Sequence, residues 1–143
     1  MKDNLLTLKI KSLNLNILRT LAARYKRLNL DVTPVQGRII MLIFDSEKEI
    51  CQKEIESSIS CKKSTLSGIL STIEKNDFII RTGSENDSRR NVLILTKKAE
   101  CIANKLKEDM IELNKILCEN ITDDEYNLFS DILKKINDNL GRI

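Results

Sequence analysis

The sequence predicts a mainly α-helical chain carrying one small β-hairpin, and three observations support this. Apolar residues recur at helical spacing through most of the chain. The spacing falls to two only after Asn76, on either side of a Gly-Ser-Glu-Asn-Asp-Ser connection. The 143 residues, 41% apolar and 31% charged, suffice for one core and contain neither repeats nor a low-complexity linker, so a single domain over 1–143 is expected.

The elements follow in order. Leu5, Leu8, Leu13, Ile17, Leu21 and Leu28 predict a long helix over 5–29, broken between Asn29 and Val32. Thr33 caps a second helix with Pro34 at its first position, where a missing N–H costs nothing; Val35, Ile39, Ile40, Ile43 and Phe44 are its expected inner face, and it should end near Ser46. An extended piece around Glu49 and Ile50 leads to a short third helix from Gln52 to Ser58. Ile59, Ser60 and Cys61 then make the turn to a fourth, which is helix-turn-helix spacing. In that fourth helix Leu66, Ile69, Leu70 and Ile73 form the core face, leaving Lys62, Lys63, Ser64, Ser67 and Ser71 largely opposite. In the hairpin, Phe78, Ile80, Val92 and Ile94 are expected to point inward. Thr96 can cap a fifth helix that runs to about Glu119, with Ile102, Ala103, Leu106, Met110, Leu113 and Leu117 on one stripe. Thr122 and Glu125 fit a capping box that opens a sixth, whose apolar face is Tyr126, Phe129, Ile132, Leu133, Ile136 and Leu140.

A basic-headed helix running into a hairpin with Arg89 and Arg90 near its tip is a winged helix, and double-stranded DNA is the foremost partner for that shape. The helix fits the major groove, its first turn facing base edges and phosphates. The hairpin arginines would reach the neighbouring minor groove or backbone. Charge is segregated accordingly: counting by segment gives +5 over 1–32, −2 over 33–60, +4 over 61–98 and −4 over 99–143. The DNA-contact candidates are Lys62, Lys63, Ser64, Thr65, Ser67 and Ser71 with Arg89 or Arg90; Gln36, Arg38, Gln52 and Lys53, near helix starts, are secondary phosphate candidates.

The same stretch resembles the MarR-type transcriptional regulators. The match runs from Thr33-Pro34-Val35-Gln36 through Gln52-Lys53-Glu54-Ile55, Lys63-Ser64-Thr65-Leu66-Ser67 and Ile73-Glu74-Lys75 to Asp87-Ser88-Arg89 and Val92-Leu93-Ile94-Leu95-Thr96. The resemblance implies a winged helix-turn-helix over 33–96, with 1–32 and 97–143 as helices of a two-fold homodimer. It also implies an acidic wing residue, Asp87, that orients an arginine. Release of DNA by a small amphipathic effector or by thiol oxidation is implied too. The chain departs from the family pattern at Glu56, where a small apolar residue is usual, at Gly68, where a larger and often basic one stands, and at Asp77 and Ala99, where glycine is frequent.

Other classes find little support. There is no histidine to act as general base or zinc ligand, no phosphate-binding glycine loop and no nucleophile elbow, so neither an enzyme, a metal site nor a cofactor is expected. No run approaches the ~18 apolar residues of a membrane span, and Met1-Lys2-Asp3-Asn4 leads into an amphipathic helix, so a cytoplasmic protein is expected. The four cysteines, at 51, 61, 101 and 118, lack metal-ligand spacing and read mainly as reduced, small buried hydrophobes; Cys51, near a helix N-terminus, is the redox candidate. The alternative reading is a winged-helix module that binds another regulator without reading DNA.

Overall fold

A computed structural model describes residues 5–84, 87 and 89–143. Its elements are α1 (Leu6–Arg27), α2 (Pro34–Phe44), α3 (Gln52–Ser58), α4 (Lys63–Lys75), β1 (Ile79–Gly83), β2 (Asn91–Leu95), α5 (Lys97–Leu117) and α6 (Asp123–Leu140). By its internal contacts the chain divides into two compact units, Met1–Lys107 and Glu108–Ile143.

In the first unit, local chemistry sets the helix ends. Thr33 Oγ1 accepts from the Gln36 N–H at 3.3 Å and the Gln36 side chain accepts from the Thr33 N–H at 3.0 Å, a reciprocal capping box around Pro34. α4 ends in a Schellman turn: the Phe78 N–H donates to the Ile73 carbonyl and the Asp77 N–H to the Glu74 carbonyl, both at 3.0 Å. That turn puts Asp77 at φ 59°, in the left-handed region that explains why glycine is frequent there among the proteins this chain resembles. Replacing Asp77 with glycine should therefore raise stability by about 0.5 kcal/mol, the relief of strain outweighing the extra freedom of the unfolded chain. A shift of the urea midpoint to higher concentration at unchanged slope is the expected readout. α1 ends the same way, with Asn29 at φ 55° and the Leu30 N–H on the Tyr25 carbonyl at 2.9 Å.

The core gathers one face of every element in this unit. Ile39 and Ile40 of α2, Ile55 of α3, and Leu66, Leu70 and Ile73 of α4 are fully buried, with Phe78, Ile79 and Leu93 from the hairpin and Ala99, Ala103 and Leu106 from α5. Each large apolar side chain buried this way stabilises by about 1.5–3 kcal/mol relative to exposure. α1 reaches α2 through Tyr25, whose ring lies close over Gly37: a Cβ there would lie 3.0 Å from Tyr25 Cε2, so the ring would have to shift to admit one.

The hairpin corrects the inner-face assignment. β1 and β2 pair antiparallel with Ile79 opposite Leu95 and Ile80 opposite Ile94. Phe78, Ile79, Val92 and Leu93 are buried, whereas Ile80 is 52% and Ile94 42% exposed. Both phases of Ile79-Ile80 and of Val92-Leu93-Ile94-Leu95 are apolar, so alternation alone cannot choose between them. Burial follows neither phase along the whole hairpin: Phe78 and Val92 of the expected set are buried together with Ile79 and Leu93, while Ile80 and Ile94 are left outside. Val35, expected inside, is 36% exposed. The piece at Glu49 and Ile50 forms no strand but gives the sheet one bond, from the Leu93 N–H to the Ile50 carbonyl at 2.8 Å.

Thr96 caps α5 as expected: its Oγ1 accepts from the Ala99 N–H at 3.2 Å and donates to the Asp77 carbonyl at 2.6 Å. α5 stops at Leu117, two residues short of the expected end. In the second unit, the Thr122 N–H and hydroxyl donate to the Glu125 carboxylate at 2.8 and 3.1 Å, holding its pKa below the ordinary carboxylate value. This is the expected capping box of α6, a helix with no buried residue of its own. Tyr126, Leu128, Phe129, Ile132, Leu133 and Leu140 are all exposed within the single chain. The cysteines are free thiols; Cys101 is exposed and the other three half-buried, so the reading as buried hydrophobes fails for Cys101.

Candidate nucleic-acid interface

α4 presents an N-terminus with no acidic residue in its first turn. Lys62 is the N-cap, makes no side-chain capping bond, and is followed by Lys63, Ser64 and Thr65, all exposed, with no Asp or Glu in the first turn. The first N–H groups of this 13-residue helix therefore keep their partial positive charge beside two ammonium groups, which is what a phosphate oxygen requires. The exposed face continues along the helix at Gly68 and Ser71, where Ser71 Oγ donates to the Ser67 carbonyl at 2.9 Å. At Gly68 an added Cβ would meet nothing within 4 Å, so this face has open space where a larger residue is common in the resembling proteins.

The remaining candidates divide between exposed groups and groups that hold the scaffold together. Lys53 is exposed on α3. Gln52 Nε2 donates to Ser67 Oγ at 2.8 Å and to Glu56 Oε1 at 3.2 Å, so Gln52 and Ser67 tie α3 to α4, and the unusual Glu56 serves as an acceptor in that tie. Arg38 Nη2 donates to the Ser58 carbonyl at 3.4 Å, at the C-terminal end of α3. Gln36 is engaged in the cap of α2.

The wing joins this surface through several bonds. On β1, Arg81 Nε meets Glu74 Oε2 of α4 at 2.6 Å. Asp87 Oδ1 accepts from the Arg89 backbone N–H at 3.0 Å, so the acidic residue shapes the turn that carries Arg89, which is exposed. Arg90 is half-buried: its guanidinium is ion-paired with Glu54 and lies 3.3 and 3.4 Å from Cys51 Sγ. Glu54 also accepts from the Cys51 N–H at 3.0 Å and from its thiol. Sequence reasoning missed Glu54, and also Glu49, which accepts from the Ser84 hydroxyl. A Ser or Thr three residues before Glu54 would have flagged a capping box; with Cys51 in that place the signal is easily passed over.

Beside the wing, an open cleft of about 640 Å³ is lined by Ile43, Phe44 and Ile50 with Lys48 and Glu49, facing Leu93. Among the described residues no helix is long and apolar enough to cross a membrane.

Comparison with known proteins places this arrangement. The MarR family model matches residues 32–91, from the residue before the α2 cap to the first residue of β2. The chain is 26% identical over 77 residues to the HTH-type transcriptional regulator SarZ of Staphylococcus aureus strain USA300, a match covering 54% of this chain and 52% of SarZ. It thus spans about half the length of the curated relatives it matches. Across nearly the whole chain it is similar to the transcription regulator MarR of Oenococcus oeni, with 29% identity, 92% of this chain and 96% of that one covered, and a TM-score of 0.72. The fold also matches S. aureus MepR solved in complex with DNA, at a TM-score of 0.85 over 94% of this chain and 98% of that one, with 16% identity. A mainly helical fold with one two-stranded hairpin is shared with these structures, and the family model lands on the helix-turn-helix and the first part of the wing. Over residues 32–91 the chain is thus similar to the MarR family, whose model matches that stretch.

Proposed function

We propose that the protein is a sequence-specific double-stranded DNA-binding transcriptional regulator, a cytoplasmic homodimer acting as a repressor. The observation that carries this reading is the N-terminus of α4: Lys62 and Lys63 at an uncapped, acid-free helix start, adjoined by a wing that carries Arg89. Lys62, Lys63, Ser64, Thr65 and Ser71 would meet bases and phosphates in the major groove, with Arg89 in the neighbouring minor groove. Lys53 on the outside of α3 would add a phosphate contact, and Arg38, Gln36, Gln52 and Ser67 would chiefly hold the scaffold that presents these groups. The solved MepR–DNA complex supports the partner class.

Dimerisation would supply the second half-site. It is supported by the exposed apolar residues of α6 and, separately, by those of α1, among them Leu6, Leu13 and Leu18. Release would follow from any effector that favours a spacing of the two recognition helices incompatible with DNA. The cleft beside the wing, lined by apolar Ile43, Phe44 and Ile50 together with charged Lys48 and Glu49, suits a small amphipathic molecule. Oxidation of Cys51, which touches the wing through Arg90, is the second route.

The test is fluorescence anisotropy on duplex DNA from upstream of the protein's own gene, against a scrambled duplex, across a salt series. Selective binding whose log K falls linearly with log salt, at a slope of about −0.9 per phosphate neutralised, is the expected result. Salt-independent or absent binding across a wider promoter set would overturn the reading in favour of a protein-interaction module.

A further inference from the structure

The two wing arginines are adjacent in sequence and chemically identical, yet their surroundings differ. Arg89 is exposed at the turn shaped by Asp87. Arg90 points back toward α3, where Glu54 and Cys51 hold its guanidinium. Neighbouring bonds follow the same line. The Ser84 N–H donates to the Arg90 carbonyl at 2.9 Å, the Ser84 hydroxyl donates to Glu49, and the Leu93 N–H donates to the Ile50 carbonyl at 2.8 Å. Residues 49, 50, 51 and 54 thus form one strip of chain that grips the base of the wing at four points. The bond between Leu93 and Ile50 is backbone to backbone, the other three each use a charged side chain, and among these Arg90 with Glu54 is an ion pair.

We infer that Arg90 is a positioning residue, clamped by Glu54 and Cys51 so that the wing is aimed from the helix-turn-helix, and that Arg89 alone of the pair meets DNA. The inference rests on the DNA-binding reading above and assigns the two arginines different work. A guanidinium already shared between a carboxylate and a sulfur has fewer donors left for phosphate, and turning it outward would break the ion pair. Glu54 then has a function that runs against simple electrostatics. A carboxylate close to a DNA-binding surface repels phosphate, so its presence lowers affinity unless it organises a cation.

That conflict of sign makes the test. The full-length protein and its Glu54→Gln, Arg90→Lys, Arg90→Ala and Arg89→Ala variants are titrated on the same duplex across the salt series, with circular dichroism as the check on folding. The clamp predicts that Glu54→Gln weakens binding about three- to tenfold although it removes a negative charge, with the salt slope unchanged, and that Arg90→Ala does the same. Arg89→Ala should reduce the slope by about one for each wing. Tighter or equal binding by Glu54→Gln, or loss of slope in Arg90→Ala, overturns the inference while leaving the DNA-binding reading intact. Absence of salt-sensitive binding by the wild type overturns that reading instead. The clamp remains testable without DNA through amide hydrogen exchange at Ser84 and Arg90. Glu54→Gln and Arg90→Ala should each speed exchange there several-fold, and the double variant should add nothing further. Exchange unchanged in both single variants would refute the clamp.

Discussion

Arg89→Ala should lower affinity for the cognate duplex by tenfold or more and narrow the gap between cognate and scrambled DNA. The residue is exposed, follows the turn that Asp87 braces through a 3.0 Å bond to its backbone N–H, and belongs to the wing whose base is tied to both α3 and α4. A guanidinium placed in a narrow minor groove gains from the focused negative potential there, and a specific contact of this kind contributes about 1–3 kcal/mol. Two wings on a two-fold site double that figure. Loss of phosphate binding alone would lower affinity for every duplex equally, so the narrowed gap is the informative part. If Arg89→Ala binds both duplexes as the wild type does, the wing does not read DNA.

Introducing charge into α6, as in Phe129→Glu with Leu133→Glu, should convert a dimer into a folded monomer and remove high-affinity binding to a two-half-site duplex. These residues are exposed within the chain, at 51% and 39%, and α6 buries none of its own residues. A helix with so marked an apolar face, exposed along it except at half-buried Ile136, would gain stability from a partner surface. In a two-fold interface each substitution acts twice, and withdrawing Phe and Leu from burial costs about 2–3 kcal/mol apiece, so dimer affinity should fall by several orders of magnitude. The winged helix should survive, because its core lies in other elements: Ile39, Ile55, Leu66, Leu70 and Phe78 are buried within the first unit. Sedimentation velocity decides the matter. A monomeric wild type, or variants that remain dimeric, would remove α6 from the interface.

Sequence alone determined the order of the elements and most of their ends. Those depend on interactions a few residues apart, as with Thr33 and Gln36 around Pro34, Thr122 and Glu125, and the 3.6-residue stripe of Leu66, Leu70 and Ile73. The motif fragments from Thr33 to Thr96 likewise pointed to the family whose model covers 32–91. What sequence could not decide was the choice between equivalents. Ile79 and Ile80 are the same residue type, and only packing against the helices chose which was buried. Arg89 and Arg90 are the same residue type too, and only the folded chain brings Glu54 and Cys51, more than 35 positions earlier, against one of them. Gln52 and Ser67 read as DNA contacts in the sequence, and only the packing of α3 against α4 joins them to each other. Local periodicity and capping are settled within one or two helical turns. The aim of a side chain at the end of a loop depends on groups distant in sequence, and those become neighbours only when the core has formed.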